Sequence, residues 1–434
     1  MEIVRVGFRT LRSLYDVACD LDHFTVITGP NGSGKTNLVS AINLVGEIYR
    51  HGLEIAVSRA GGYDNLAHRR SRRATRPISI EVVAKLTAGE FGFTETESRG
   101  TTVPRDMEFE ISHSFSFKTS SQSVLADYAV VEETITITNE DRLWLIVFRD
   151  GQGRVSYDYS PPSRFRRDEA VSRMFRPFSS DRAIKNIVER ETPSSSLIFD
   201  APLYLSGILR IFISRLARMR IFQISPSSVR APGVATPNSE LERYGENLPG
   251  ASVWMKQKDP RAWAQVENLM RSIFPALESI DIAYTEDRRL VLQFKERDVQ
   301  RNWSSSDLSD GTMQALALFV ALYDRRTPLL VIEEPENSVH PWILRQFIDL
   351  CREAPKQIVL TTHSPVLLDY VSPNCIRLMT IGSGRSSLRR LLDYAPQVRD
   401  LIKEGEMTAF DVYDSGLIPD AMPLGFGPST DEDE

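Results

Sequence analysis

The octapeptide GPNGSGKT, Gly29 to Thr36, constrains this chain more than any other stretch. It satisfies the pattern G-x-x-x-x-G-K-[ST]; the apolar run Phe24 to Thr28 precedes it and the helix-like run Asn37 to Tyr49 follows. A strand, a glycine-rich turn and a helix in that order make a phosphate-binding loop. Glycines at 29, 32 and 34 let backbone N–H groups turn inward around a phosphate, and the helix N-terminus adds partial positive charge. Lys35 is expected to reach the β- and γ-phosphates of ATP, and the Thr36 hydroxyl to ligate Mg2+. Asn31, Ser33 and Asn37 complete the expected nucleotide-contacting set. A glycine-rich turn with an incidental lysine is the blander alternative, and the flanking strand and helix weigh against it.

Around this loop the chain has room for two or three ordinary domains, or one large α/β domain with insertions, at 434 residues. Its longest apolar run, Ala315 to Tyr323, is far too short to cross a bilayer. The N-terminal MEIVRVGF lacks the apolar core of a secretory signal, and Cys19, Cys351 and Cys375 form neither a C-x-x-C nor a disulfide framework. These features predict a reduced, cytoplasmic protein with no membrane partner. A net charge of −6 argues against a uniformly basic surface, yet arginines cluster. Arg69, Arg70, Arg72, Arg73 and Arg76 form one run, Arg164, Arg166, Arg167, Arg173 and Arg176 a second, and Arg210, Arg215, Arg218 and Arg220 a third. The terminal PSTDEDE reads as a disordered acidic tail.

Short strands are expected in EIVRVGF, around Tyr15 to Leu21 and in FTVIT. After the loop helix, ISIEVVAKL, MEFEISHSFSF, AVVEETITIT, RLWLIVF and RVSYDYS alternate and are separated by turn residues, which predicts an antiparallel meander. From Ser163 to Arg220 the period becomes helical. The sequence therefore divides into residues 1–160, a lobe with the loop and the meander; 161–240, a helical basic insertion; and 241–434, a second lobe.

That second lobe carries the remaining chemistry. LSDGT, Leu308 to Thr312, precedes an almost wholly apolar helix, MQALALFVALY, that must be buried on most sides. Pro328 to Ile332 is a continuous apolar strand running into Glu333 and Glu334, as suits a parallel strand covered on both faces. Gln357 to Thr362 is a further strand, ending at His363. Alternation along a strand turns adjacent side chains to opposite sides, so Glu333 is expected to face magnesium and Glu334 to polarise the attacking water. His363 is placed to contact the γ-phosphate. The architecture predicted is α/β, with a mixed or parallel phosphate-loop core, an antiparallel β lobe and an inserted helical segment.

GPNGSGKTN, LSDGT, LLVIEEPENSVHP and TTHSP, in that order, resemble the ABC-type ATPase heads of the RecF, SMC, Rad50 and OLD branch. The GKTN, EEPE and T-H-S-P strings are most similar to OLD-like and RecF-like AAA-family ATPases of bacterial genome maintenance and phage defence. The resemblance implies that two heads dock head to tail as a homodimer, itself able to build a larger assembly. Ser309 and Gly311 would then act on the partner's ATP, with Asn337 and Ser338 at the seam. Locally, LSDG also reads as a helix N-cap. Departures are a glutamate where an aspartate is usual at Glu333, no assignable Q-loop glutamine, no long coiled coil, and a stretch after His363 too short for a TOPRIM nuclease.

Three functions follow as expectations. The first is an ATP-gated switch that senses nucleic acid or a foreign protein and controls a separate effector, a nuclease or toxin, in anti-phage defence. The second is a RecF-like DNA-repair clamp, in which Arg69, Arg70, Arg72, Arg73 and Arg76 contact phosphates and make binding salt-dependent; a solvated loop explains that run equally well. The third, the nucleotide-binding subunit of a transporter, fits LSDGT and the large middle segment poorly.

Overall fold

A computed structural model of the chain describes residues 1–68, 76–92, 103–119, 128–179, 193–200, 207–393, 400–402, 405, 407–415 and 417–418. Three strands open the chain, β1 (Glu2–Leu11), β2 (Leu14–Asp20) and β3 (Phe24–Thr28). The helix α1 (Lys35–His51) follows the glycine-rich loop. Next come β4 (Ile78–Thr87), β5 (Glu108–Thr119), β6 (Tyr128–Asn139), β7 (Arg142–Arg149) and β8 (Val155–Tyr159). Two short helices, α2 (Glu169–Met174) and α3 (Gly207–Leu216), lead to β9 (Arg220–Phe222). The described residues fall into two compact units.

The first unit comprises Met1–Asp22, Gly32–Arg218 and Thr380–Leu388. Its sheet is antiparallel, in the order β2-β1-β4-β5-β6-β7-β8, so the predicted meander forms and the two N-terminal strands join its edge. In β4 every second residue is buried, the period-two pattern of a sheet with one face covered. Phe8, Phe109, Phe117 and Trp144 fill that face, with Phe109 edge-on to Trp144 at 5.1 Å. The same alternation carries two ionisable side chains inward, His113 of β5 and Glu133 of β6. His113 lies 2.6 Å from the Tyr49 hydroxyl of α1 and 3.1 Å from the Glu133 carboxylate. Glu133 also accepts the Ile198 N–H at 2.9 Å, so these buried groups satisfy one another.

The second unit comprises His23–Asn31, Met219–Met379 and Arg389–Glu434. After β9 it contains α4 (Leu248–Lys258), α5 (Pro260–Ile273), and a small sheet of β10 (Leu277–Tyr284), β11 (Leu290–Glu296) and β12 (Trp303–Ser304). There follow α6 (Asp310–Tyr323), β13 (Leu329–Glu333), α7 (Pro341–Glu353), β14 (Gln357–Thr361), α8 (Pro365–Tyr370) and β15 (Ile376–Gly382). The hairpin partner of β15 is β16 (Arg385–Arg390). β15, β3, β14, β13 and β9 pair in that order, every pair parallel. β3, β13 and β14 are buried at every position, which explains their unbroken apolar runs.

The helical reading of residues 163–220 needs one correction. Arg220–Phe222 is a strand, because it pairs with Leu330–Ile332 and satisfies an edge of β13 that the helix could not. α3 ends before it, at Leu216. The α/β class, the antiparallel lobe and the parallel core are as the sequence implies. Among the described residues no helix is long and apolar enough to cross a membrane.

Candidate functional site

Because the core strands of the second unit are parallel, their carboxyl ends share one edge. Glu333 is in register with Thr361, and Thr361 with Ile27. Gly29–Asn31, the Glu333–Ser338 segment and Thr362–His363 therefore all leave the sheet at that edge, the position where open α/β sheets bind ligands.

The phosphate loop has the backbone its sequence predicts. Gly32 (φ 79°) and Gly34 (φ 108°) occupy the left-handed region, where glycine carries no Cβ penalty. A Cβ on Gly32 would meet nothing within 4 Å, so it is the φ rather than space that selects glycine there. α1 starts without a side-chain cap and without an acid in its first turn, leaving its N–H groups to an anion. Lys35 and Ser33 are buried, whereas Asn31, Gly32 and Thr36 are exposed. Thr28 Oγ1 and Ser33 Oγ are buried with no hydrogen-bond partner among the described residues, as suits side chains that a bound phosphate would engage.

Two serines absent from the sequence reading hold the second half of the loop. Ser386 Oγ donates to the Ser33 carbonyl at 2.7 Å and lies 2.9 Å from Ser13 Oγ, within hydrogen-bond distance. Ser13 Oγ in turn accepts from Asn37 Nδ2 at 2.9 Å. Ser13 lies in the turn between β1 and β2 and Ser386 in β16, far apart in sequence, and no local pattern marks them.

The two adjacent acids diverge for a reason other than strand alternation. β13 ends at Glu333, and Glu334 turns into the left-handed region at φ 48°. Glu333 is buried and accepts from Arg243 Nη2 at 3.1 Å. Burial pushes its pKa above the usual carboxylate range, Arg243 opposes that shift, and the neighbouring Glu334 charge adds to it. The Glu334 side chain is partly open to solvent and accepts from Asn337 Nδ2 at 2.9 Å. His363 Nε2 lies 3.9 Å from Glu334 Oε1, so the acid, the histidine and Asn337 gather at one point.

Ser309 caps α6, its Oγ accepting the Thr312 N–H at 3.2 Å, so the local N-cap reading of LSDG holds. Gly311 abuts the turn after the acids: a Cβ there would lie 2.6 Å from the Ser338 carbonyl, and Ser338 itself is left-handed at φ 60°. Arg230, unremarked in the sequence, staples this segment. It pairs with Asp310 at 2.6 Å and donates to the Leu308 carbonyl at 2.7 Å and the Ser305 carbonyl at 3.0 Å.

Arg69, Arg70, Arg72 and Arg73 lie outside the described residues, as does the acidic tail. Arg76 is exposed and donates to the Tyr15 hydroxyl. Arg164, Arg166 and Arg167 are exposed in the first unit, Arg164 stacking on Phe165 at 4.6 Å. Hydroxyl and carboxylate oxygens of the kind Thr36 and Glu333 present are the hard donors magnesium takes. Among the described residues there is no group of three or more His, Cys, Asp or Glu that could hold a metal ion.

Residues 24–369, which include the loop, LSDGT, both acids and His363, match the family described as "AAA domain, putative AbiEii toxin, Type IV TA system". No curated protein matches the chain. Among solved structures, an SMC head bound to the C-winged helix domain of ScpA shares 15% identity, covering 90% of this chain and 98% of that one with a TM-score of 0.47. The SMC head domain from Thermotoga maritima shares 13% identity, covering 90% of this chain and 99% of that one, TM-score 0.39. An SMC head with an extended coiled coil, bound to the C-terminal domain of ScpA derived from Pyrococcus furiosus, shares 13% identity, covering 94% and 100%, TM-score 0.42.

Proposed function

This chain belongs to the AAA domain family that residues 24–369 match, an ABC-type ATPase head, and on that premise we propose that it hydrolyses ATP as a dimeric switch over a separate effector. One observation carries the hydrolytic reading: Glu334, Asn337 and His363 meet at the carboxyl edge of the parallel strands, with His363 3.9 Å from Glu334. In this reading the glycine-rich loop and Lys35 hold the phosphates, Glu334 accepts a proton from the attacking water, and His363 contacts the γ-phosphate. Thr36 and Glu333 would hold magnesium, which when bound neutralises phosphate charge.

The dimer is head to tail, with exposed Ser309 and the N-terminus of α6 offered to the partner's ATP. An effector of toxin or nuclease type, a role in anti-phage defence and a cytoplasmic location complete the proposal; the family's description bears on it only in the words "putative AbiEii toxin, Type IV TA system". A DNA clamp is the second reading, favoured by exposed Arg164, Arg166 and Arg167, which offer a phosphate-binding surface.

The deciding experiment purifies tagged Glu334→Gln protein with its genetic neighbours and ATP. Retained ATP, hydrolysis reduced by about a hundredfold or more and a co-purifying nuclease or toxin support the switch. Hydrolysis at the wild-type rate removes Glu334 from the chemistry. A bare dimer retaining DNA favours the clamp.

A further inference from the structure

The EEPE string contains a third glutamate, Glu336, to which the proposed reaction assigns no part. It sits in the turn between β13 and α7, and its carboxylate reaches the strand next door. Glu336 Oε1 accepts the Thr362 hydroxyl at 2.6 Å and the His363 N–H at 3.1 Å. Thr362 Oγ1 in turn accepts the Ser364 N–H at 2.9 Å. On its other side Thr362 is held to β3 through its N–H and the Ile27 carbonyl, at 3.0 Å.

The reason for this arrangement lies in the ladder. In a parallel pair the bonds are evenly spaced, so after Glu334 N–H donates to the Thr361 carbonyl at 2.8 Å the next bond would run from His363 N–H to the Glu334 carbonyl. Glu334 has turned left-handed, however, and its carbonyl accepts Asn337 N–H at 3.1 Å instead. The His363 N–H would be left over, and Glu336 supplies the missing acceptor.

We propose that Glu336 is the positioning residue for His363: its carboxylate extends the β13–β14 ladder one residue past the turn and fixes the histidine backbone relative to Glu334. The inference rests on the ATPase reading for its catalytic consequence, though not for its geometry. Any movement of the turn at Glu334–Ser338 moves His363 with it. Since Gly311 packs on Ser338, the same strap connects the start of α6 to the histidine. The second carboxylate oxygen, Oε2, is buried without a partner among the described residues, and burial holds the Glu336 pKa above the usual range. An uncharged acceptor can therefore do the same work.

The test compares Glu336→Ala, Glu336→Gln and Thr362→Val with wild type, by steady-state ATP hydrolysis and by hydrogen exchange at the His363 and Ser364 amides. Glu336→Ala is expected to lower kcat about 10- to 100-fold with KM for ATP changed less than about threefold. Glu336→Gln keeps a carbonyl oxygen for both donors and should stay within about threefold of wild type. Adding Glu336→Ala to His363→Ala should cost nothing further. Thr362→Val, which removes one of the two donors, should lower kcat without raising KM even if Glu336→Ala fails to fold. Glu336→Gln as inactive as Glu336→Ala, or Glu336→Ala with wild-type kcat, overturns the proposal. Exchange separates the two layers: wild type without ATP turnover but with His363 protection lost in Glu336→Ala sinks the ATPase reading and supports the positioning role. Unchanged protection in Glu336→Ala sinks the positioning role whatever the ATPase does.

Discussion

The guanidinium of Arg243 donates to the carboxylate of Glu333 across 3.1 Å at the end of β13. Arg243 reaches it because its own segment runs beside β9, with Gln223 N–H donating to the Arg243 carbonyl at 2.8 Å and Ser225 N–H to the Tyr244 carbonyl at 2.9 Å. Glu333 is 5% exposed, so the pair supplies a counter-charge that water does not.

Arg243→Met should therefore lower stability at neutral pH by about 1–2 kcal/mol, a figure kept below that of a fully buried pair because the arginine is partly open to solvent. The double variant Arg243→Met with Glu333→Gln should melt higher than Arg243→Met alone, since no unpaired charge remains buried. Thermal melts of the three proteins decide it, and a double variant no more stable than the single one rules out the charge argument.

The trans arrangement makes a mixing prediction. Ser309→Arg and Lys35→Ala should each be nearly inactive alone, the first through the partner's ATP and the second through its own. Mixed, they form dimers with one intact composite site, and up to about a quarter of wild-type activity should return if sites fire independently. No recovery in a mixture shown to exchange subunits counts against head-to-tail docking or requires both sites to fire together.

Gly311→Ala adds a methyl 2.6 Å from the Ser338 carbonyl. Alanine is the better helix former by about 1 kcal/mol. A contact that close forces the Asn337–Ser338 turn or α6 to shift, at a cost of about 1–3 kcal/mol. The melting temperature should fall by several degrees and ATP hydrolysis with it. A variant that melts higher than wild type would show that the turn yields freely.

Lys356 is buried, with its ammonium donating to the Asp324 carbonyl, and burial lowers its pKa to about 8. The folded chain thus gives up this proton more readily than the unfolded chain does. The penalty is full below pH 8 and fades between about 8 and the ordinary value of 10.5. Lys356→Met should be more stable than wild type at pH 7, by about 3 °C after the lost hydrogen bond is offset. That advantage should close across the same window, as calorimetry at pH 7, 9 and 11 would show.

Much of the fold was legible because its signals are local. Glycines at 32 and 34 encode the left-handed turns of the loop, and unbroken apolar runs in β3, β13 and β14 encode strands covered on both faces. The antiparallel lobe announced itself through alternation in β4 to β8. Less legible was β9, whose three residues are too few to show a period and follow directly on a helical pattern. The divergence of Glu333 and Glu334 was expected for the wrong reason, because a turn into positive φ at a glutamate carries no sequence mark.

The sequence by itself determined the phosphate loop, the order of the motifs and the types of the principal elements, since each depends on residues within one or two turns of chain. Only the tertiary structure decided which distant side chains support them: Arg243 at Glu333, Arg230 at LSDGT, Ser13 and Ser386 at the loop, and Glu336 at His363. Those contacts join residues from about 25 to more than 350 positions apart, as Glu336 to His363 and Ser386 to Ser33 illustrate. A hydrogen bond of that kind depends on where two strands end in space, and spacing along the chain does not record it.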